Sequence, residues 1–171
     1  CDAVAVCFLH ACSFSTDEIE LKTAINTALP QLPVSISSEI SALEREYERA
    51  CSTVLNAYLQ PLISTYIADV RSALPPHADF TVITSAGGLV PCEQVQIAPI
   101  QTVLSGPAGG FLGAATAGRR LGFDLMLSLD MGGTSTDVAL IADGLDLKTD
   151  YTIMEMPIVT PMLPIETVGA G

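Results

Sequence analysis

The stretch SLDMGGTSTDVALI, residues 128–141, constrains the fold more than any other part of the sequence. Two glycines and three hydroxyl residues lie between Asp130 and Asp137, and apolar residues flank both ends. Apolar runs on each side of a glycine turn indicate two strands joined as a hairpin. A purely structural hairpin gives a similar pattern, but the pair of aspartates and a small-residue helix upstream favour a binding loop.

The residues between the two aspartates predict a site for phosphate and metal. Gly132 and Gly133 allow positive φ angles and a close approach to the main chain, and successive amides of such a turn form a concave anion site. Hydroxyl donors follow the glycines: Thr134, Ser135 and Thr136. Asp130 and Asp137 would repel a bare phosphate, so they indicate a Mg²⁺ ion between carboxylate and phosphate.

The composition limits the partners of the chain. Its 171 residues are 49% apolar and 15% charged, which is typical of a globular α/β protein with a substantial core. Seven basic against 19 acidic residues give a net charge of -12, so we expect no nucleic-acid partner. An acidic protein binds phosphate locally, through amides, helix ends and a divalent cation.

The cysteines and the chain ends indicate a cytoplasmic fragment. Five cysteines without a CxxC pair predict free thiols rather than a zinc site or a disulfide framework. No apolar run reaches the roughly 18 residues that a membrane span needs, and we expect neither a membrane segment nor a signal peptide. The chain begins at Cys1 and ends in VGAG, so we expect it to be part of a longer protein.

The first half predicts two strands and two helices. The apolar run 2–11 is typical of a strand covered on both faces in a mainly parallel sheet. Residues 15–18 match a capping box at the start of a helix that ends at Pro30, and VSIS follows as a short strand. Helical spacing then runs over 41–74, the longest such signal, with a kink or a break expected at Pro61.

The second half predicts a strand, a helix and a set of three further strands. The strand covers 80–88, and the helix begins near Ser105 and ends before Gly122. Small residues on one face of this helix predict a close approach to its backbone: Gly109, Gly110, Gly113, Ala114 and Ala117. The last three strands are predicted at 125–130, 136–142 and 145–152.

Several polar residues outside the glycine turn have individual predicted roles. The charged run 44–49 could bind a ligand, but i,i+3 spacing favours a solvated or interlobe ion-pair face. Asn56 is a candidate either to reach a substrate or to cap a neighbouring loop. His10 is expected to be buried and hydrogen-bonded, and His77 to face solvent. Cys92 is expected to be a quiet thiol rather than a nucleophile.

Four segments carry a resemblance to a known family: REYERACSTVLNAYLQP, VLSGPAGG, DMGGTSTDVALIADG and PIETVGAG. In this order they resemble the hydantoinase A/5-oxoprolinase family, which includes N-methylhydantoinases and the ATP-binding subunits of acetone and acetophenone carboxylases. The glycine turn and the small-residue helix also resemble the second phosphate loop and the interlobe helix of the actin, sugar kinase and chaperone ATPase superfamily.

The resemblance implies a partial actin-like (ribonuclease H-like) ATPase fold of the α/β class. A parallel or mixed sheet flanked by helices would carry a β-hairpin phosphate loop at 130–137. Residues 1–104 would form the C-terminal part of the first lobe with the long kinked helix 41–74. Residues 105–171 would form the interlobe helix and the start of the second lobe.

The resemblance also assigns roles to residues, with ATP and Mg²⁺ as cofactors. Asp130 and Asp137 would be the catalytic and metal-binding residues. The nucleotide would contact Gly132, Gly133, Thr134, Ser135, Thr136, Ser105, Gly106, Gly109 and Gly110. Residues 169–171 would begin a further glycine loop.

The implied reaction is an ATP-dependent hydrolysis of a cyclic amide or imide. ATP would phosphorylate the ring carbonyl oxygen, and water would then open the ring. A hydantoinase B-type subunit or domain is the implied partner. The family's first phosphate loop is absent from these residues, so we expect the isolated fragment to be inactive. Two alternatives stay open: the ATP-binding subunit of an acetone- or acetophenone-type carboxylase, and a non-catalytic nucleotide-binding domain.

Overall fold

Helices and small sheets alternate along the chain, and contacts divide it into two units. The computed structural model describes residues 1–142, 147–153 and 155–169. Unit 1 comprises Cys1–Val82, Pro91–Ile100 and Thr149–Thr160. Unit 2 comprises Ile83–Val90, Gln101–Lys148 and Pro161–Gly171. The protein is therefore a mixed α/β protein, and the predicted lobe boundary after residue 104 stays a prediction.

Unit 1 combines short strands with one long helix. Its strands are β1 (Val4–Val6), β2 (Val34–Ile36), β7 (Tyr151–Ile153) and β8 (Met156–Ile158). Its helices are α1 (Thr16–Ala28), α2 (Ser37–Ile40), α3 (Glu46–Ala73) and α4 (Cys92–Ile97). Strands β1 and β2 pair in parallel, and β7 and β8 pair antiparallel.

Unit 2 contains a helix packed on an antiparallel sheet. Its elements are α5 (Ser105–Leu121), β5 (Met126–Met131), β6 (Thr136–Ile141) and β9 (Ile165–Val168). The sheet order is β5-β6-β9. A two-stranded sheet of β3 (Thr81–Ile83) and β4 (Leu89–Pro91) and a 3-10 turn at Pro99–Thr102 lie where the chain passes between the units.

The helix α3 buries polar residues and exposes apolar ones. Its buried residues are Arg49, Ser52, Thr53, Asn56, Ala57, Gln60 and Ile67. Tyr47, Tyr58 and Tyr66 lie on the exposed side. The helix begins at Glu46 rather than near residue 41 and continues through Pro61 as one element, so the predicted break into two helices is wrong. A kink at Pro61 stays a prediction.

The predicted capping box at residues 15–18 is wrong, because Glu18 has other partners. Ser15 makes no side-chain hydrogen bond at the start of α1. The Glu18 side chain is fully buried and its Oε1 accepts hydrogen bonds from Phe8 N (2.8 Å) and Ser37 Oγ (2.6 Å). Its Oε2 accepts one from Ser38 N at 2.9 Å. Strand β1 ends at Val6 and is therefore shorter than the predicted strand at residues 2–11.

Arg49 is a second fully buried charged residue, and it is linked to the Glu18 carboxylate through Ser37. Its Nε donates to Ser37 Oγ at 3.0 Å, so the hydroxyl of Ser37 links the two charges. The other guanidinium nitrogens donate to the carbonyls of Leu43 (3.0 Å) and Phe8 (2.7 Å). The expected ion-pair face of the charged run is therefore wrong for Arg49, which holds backbone carbonyls instead.

Other polar residues of unit 1 also hold loops. Asn56 Nδ2 donates to Ser35 Oγ (2.9 Å) and Ile97 O (3.0 Å), and Asn56 Oδ1 accepts from Ile100 N (3.1 Å). Of its two predicted roles, Asn56 therefore has the loop-capping one.

The two histidines and the cysteines of unit 1 are mostly as predicted. His10 is exposed with a φ angle of 60°, so the prediction of a buried His10 is wrong. Its backbone N–H donates to Glu46 Oε1 at 3.1 Å, which helps the turn to keep this conformation. His77 is exposed as predicted. All five cysteines are free, and Cys92 is buried, which raises the pKa of its thiol in the direction expected for a quiet thiol.

Every helix in the described part of the chain is too short or too polar to cross a bilayer. The third predicted strand of the second half, 145–152, begins at residues that lie outside the described ranges. Within it, β7 starts at Tyr151.

We expect acid to remove the stability that Glu18 contributes. Burial raises the pKa of Glu18, but hydrogen bonds from Ser37, Phe8 and Ser38 lower it, and the net pKa lies below the ordinary value. Because the folded pKa is depressed, this stability is present above the unfolded pKa of about 4.3 and is lost as the pH falls through the folded pKa. Urea denaturation between about pH 7 and about pH 3 measures the loss.

Glu18→Gln is expected to be less stable than the unmodified protein at pH 7 and to lose less stability on acidification. Glu20→Gln is the matched control, because Glu20 is an exposed residue of the same helix. A decline in the Glu18→Gln variant as steep as in the control would contradict this account.

Candidate functional site

The predicted hairpin is present, and its register places the two aspartates opposite each other. Strands β5 and β6 are antiparallel, with Asp130 paired to Asp137. The turn between them is closed by a hydrogen bond from Gly132 N to Ser135 O at 2.9 Å. Directly opposite residues of an antiparallel pair point to the same face. The hairpin therefore brings both carboxylates to one face of the sheet beside the turn.

A third strand adds a hydroxyl to the same row. In the β6–β9 register Thr167 is the partner of Asp137. Thr167 Oγ1 donates a hydrogen bond to Asp137 Oδ1 at 2.7 Å. We call the set Asp130, Asp137 and Thr167 the acidic row. Thr167 was not identified from the sequence, because local patterns do not give the register between two strands that are far apart along the chain.

The face that carries the acidic row is also the buried face of the sheet. Moving away from the turn, the same face carries Ala139 opposite Ile165 and then Ile141 opposite Met126. These side chains pack against α5 in one apolar cluster: Ala108, Phe111, Ala115, Ala139, Ile141, Leu163 and Ile165, with Met126 at its edge. A register shift of one residue would expose this cluster, so core packing fixes the position of the carboxylates.

The glycines of the turn serve one of the two purposes predicted for them. Among the described residues, the glycines with positive φ are Gly87 and Gly122, so a positive φ at Gly132 and Gly133 is not found. A Cβ built on Gly133 would meet no atom within 4 Å, and one on Gly132 would lie 3.4 Å from Ser135 O. The glycines therefore leave the turn bare and open to a ligand.

The hydroxyls of the loop do not all face the same way. Gly132 to Thr134 are exposed and Ser135 is partly buried. Thr136 is 5% exposed and, as the residue before Asp137, points to the opposite face of the sheet. The structure thus brings Thr134 and Ser135 to the open turn and sets Thr136 apart from the acidic row. The amide of Gly132 is used inside the turn, which leaves those of Gly133 and Thr134 as candidate donors to phosphate.

The small-residue helix α5 has the predicted bounds. It runs from Ser105 to Leu121, and Gly122 ends it with a φ of 82°. The close approach lies at Gly118, which is outside the predicted face and where a Cβ would overlap Met126 Sδ, while a Cβ on Gly109 would make only an ordinary contact with Ile83 at 3.5 Å. At Gly110 and Gly113 a Cβ would meet no atom within 4 Å. The residues of α5 that were predicted to contact the nucleotide lie within its first six positions; they are Ser105, Gly106, Gly109 and Gly110.

Ser85 fixes the start of α5 and was missed in the sequence. It is 1% exposed, and its Oγ accepts a hydrogen bond from Leu104 N at 3.1 Å. Its backbone N–H donates to Gln101 O (2.6 Å), and its carbonyl accepts from Leu163 N (2.8 Å). One residue therefore connects the beginning of α5 with the segment that leads into β9. A polar residue just before the SAGG glycines is the signal that could have indicated it.

The described residues contain no group of three or more His, Cys, Asp or Glu side chains able to hold a metal. A pair of carboxylates is nevertheless sufficient for Mg²⁺, which keeps several waters and is usually bound by one or two carboxylates together with phosphate oxygens. Two facing carboxylates beside an exposed turn provide such a donor set. Of the predicted loop 169–171, residues 170 and 171 lie outside the described ranges.

The comparisons with known proteins agree on one family. The family model for hydantoinase/oxoprolinase matches residues 49–171. The chain belongs to the hydantoinase/oxoprolinase family, which confirms the resemblance seen in the sequence.

Relatives of known activity match nearly the whole chain. Caprolactamase subunit alpha of Pseudomonas jessenii is 31% identical over 173 residues, which are 99% of this chain and 25% of that protein. The 5-oxoprolinase of Saccharomyces cerevisiae is 36% identical over 174 residues, 99% of this chain and 13% of that protein. A nucleotide-free acetone carboxylase structure, from work on ATP-dependent acetone carboxylation, matches with a TM-score of 0.79 and 25% identity over 99% of this chain and 25% of that one. The chain thus spans a quarter or less of each.

We expect the free energy of unfolding of Gly118→Ala to lie about 1 kcal/mol below that of Gly113→Ala, because its methyl group must displace the flexible end of Met126 at the edge of the core cluster. Gly113→Ala is the matched control in the same helix. Its methyl group enters open space and should raise the stability by up to about 1 kcal/mol through helix propensity. Urea denaturation of both variants measures the difference, and equal midpoints would show that Gly118 has no special packing role.

Proposed function

We propose that the full-length protein containing this chain is an ATP-dependent hydrolase of cyclic amides. Caprolactam and 5-oxoproline, the substrates that the names of two relatives indicate, are both cyclic amides. The observation that carries the proposal is the pairing of Asp130 with Asp137 on one face beside a bare glycine turn. The proposed fold is the partial actin-like ATPase fold, with the hairpin as its phosphate loop.

The acidic row is suited to a divalent cation. Two carboxylates directly opposite each other on a sheet repel, and like charges in this position destabilise the pair. A cation between them or close to both removes this repulsion. Magnesium fits because it needs few protein ligands and takes the rest from water and phosphate.

The residues of the chain then have defined tasks around bound MgATP. Asp130 and Asp137 orient the cation, directly or through water. The amides of Gly133 and Thr134 and the hydroxyls of Thr134 and Ser135 bind phosphate oxygens. When bound, MgATP would supply the phosphoryl group that activates the ring carbonyl oxygen, with ADP as the leaving group, and phosphate would be released when water opens the ring. Positioning and charge stabilisation are most of what a protein contributes to phosphoryl transfer.

The proposal includes a partner and a second candidate function. A relative is named as subunit alpha of caprolactamase, so we propose a partner subunit of the hydantoinase B type. The match to acetone carboxylase, at a TM-score of 0.79, favours an ATP-binding carboxylase subunit as the second candidate. In that case the same MgATP site would activate a ketone or bicarbonate.

Isothermal titration of the full-length protein with MgATP tests the site. We expect Asp137→Asn and Asp130→Asn each to weaken MgATP binding about tenfold or more, because each removes half of the carboxylate pair. Asp124→Asn is the control, since Asp124 is an exposed aspartate of unit 2 just before β5. MgATP affinity that is unchanged in both hairpin variants would remove the basis of the proposal.

Phosphate release separates the two candidate functions. The full-length protein with its partner subunit is expected to release phosphate in the presence of 5-oxoproline, caprolactam or a hydantoin. Release that requires acetone and bicarbonate instead would favour the carboxylase.

A further inference from the structure

We propose that Thr167 is a positioning residue that fixes the orientation of the Asp137 carboxylate toward the cation. The inference rests on the proposed function, because it concerns the same site. Its basis is the acidic row, in which three strands deliver one side chain each.

The hydrogen bond from Thr167 occupies one oxygen of the Asp137 carboxylate and leaves the other oxygen for a cation. Thr167 Oγ1 donates its single proton to Asp137 Oδ1 at 2.7 Å. Asp137 Oδ2 is then the oxygen presented to a cation. A carboxylate that is held by a neighbouring donor loses rotational freedom before the cation binds, and such supporting hydrogen bonds orient metal ligands in proteins generally.

The hydroxyl of Thr167 is itself held in place by β9. Two residues before it, Ile165 is 5% exposed and belongs to the core cluster. Further back, Leu163 is fully buried and its N–H donates to Ser85 O at 2.8 Å. Because threonine is β-branched, its χ1 angle is restricted as well. The position of the hydroxyl is thus set by the packed sheet.

The bond contributes little to folding, which separates the proposed role from a structural one. Thr167 is exposed and Asp137 is only partly buried. Exposed polar pairs contribute little net stability, since water competes for both groups. Removal of the hydroxyl should therefore change cation binding much more than it changes the unfolding midpoint.

The test measures Mn²⁺ binding to the full-length protein by electron paramagnetic resonance, in the presence of a non-hydrolysable ATP analogue. Thr167→Val keeps the shape of the side chain and removes the donor, and we expect about tenfold weaker Mn²⁺ binding. Thr167→Ser restores the donor and should bind within about threefold of the unmodified protein. Thr23→Val is the matched control, because Thr23 loses only a bond to the carbonyl of Ile19 on an exposed helix face.

The outcomes are distinct. Weaker Mn²⁺ binding in Thr167→Val but not in Thr167→Ser or Thr23→Val, with unchanged urea midpoints, supports the positioning role. Mn²⁺ binding that is weakened by Asp137→Asn and not by Thr167→Val overturns this inference and leaves the proposed function intact. Mn²⁺ binding that Asp137→Asn does not change overturns both. A loss in Thr167→Val and Thr167→Ser alike, with lower urea midpoints, also overturns the inference, because it indicates a structural role.

Discussion

The register of the β5–β6 hairpin is the constraint on which the rest of the site depends. Side chains alternate between the two faces of a strand, so the residues that pack on α5 determine which residues share their face. Ala139 and Ile141 are buried against α5, and Asp137 is the next residue on their face. The opposite face exposes Leu127, Leu129 and Leu140, so the apolar burial that fixes the register comes from the α5 side. The apolar core thereby holds a pair of repelling carboxylates together.

In unit 1, buried polar groups support the loops. Glu18, Ser37 and Arg49 form a continuous buried network whose outer contacts are backbone groups. A buried charge is tolerated only when it is paired and hydrogen-bonded. Here the two charges are linked through Ser37 rather than by a direct ion pair, backbone groups supply their other hydrogen bonds, and the bonds to Phe8 hold the chain after β1.

Local features of the sequence predicted α5 and the β5–β6 hairpin well, whereas strands β1 and β3 are shorter than predicted and α3 begins later. The bounds of α5, the stop at Gly122 and the hairpin around the glycine turn follow from spacing and turn chemistry. The polar contacts did not follow, since Glu18 and Ser37 are 19 residues apart and Arg49 and Phe8 are 41 residues apart. Local patterns instead suggested a capping box and a surface ion pair. Thr167 was missed for the same reason, because its partner Asp137 lies 30 residues away on another strand.

A crystal structure of the full-length protein with Mn²⁺ and a non-hydrolysable ATP analogue tests the central claim most directly. Mn²⁺ can take the place of Mg²⁺ and is located by its anomalous scattering. The account predicts a peak bonded to Asp130 and Asp137, directly or through one water, with phosphate oxygens beside Gly133 and Thr134. A metal and triphosphate bound elsewhere, with the turn at residues 132–135 covered by other side chains, would contradict it.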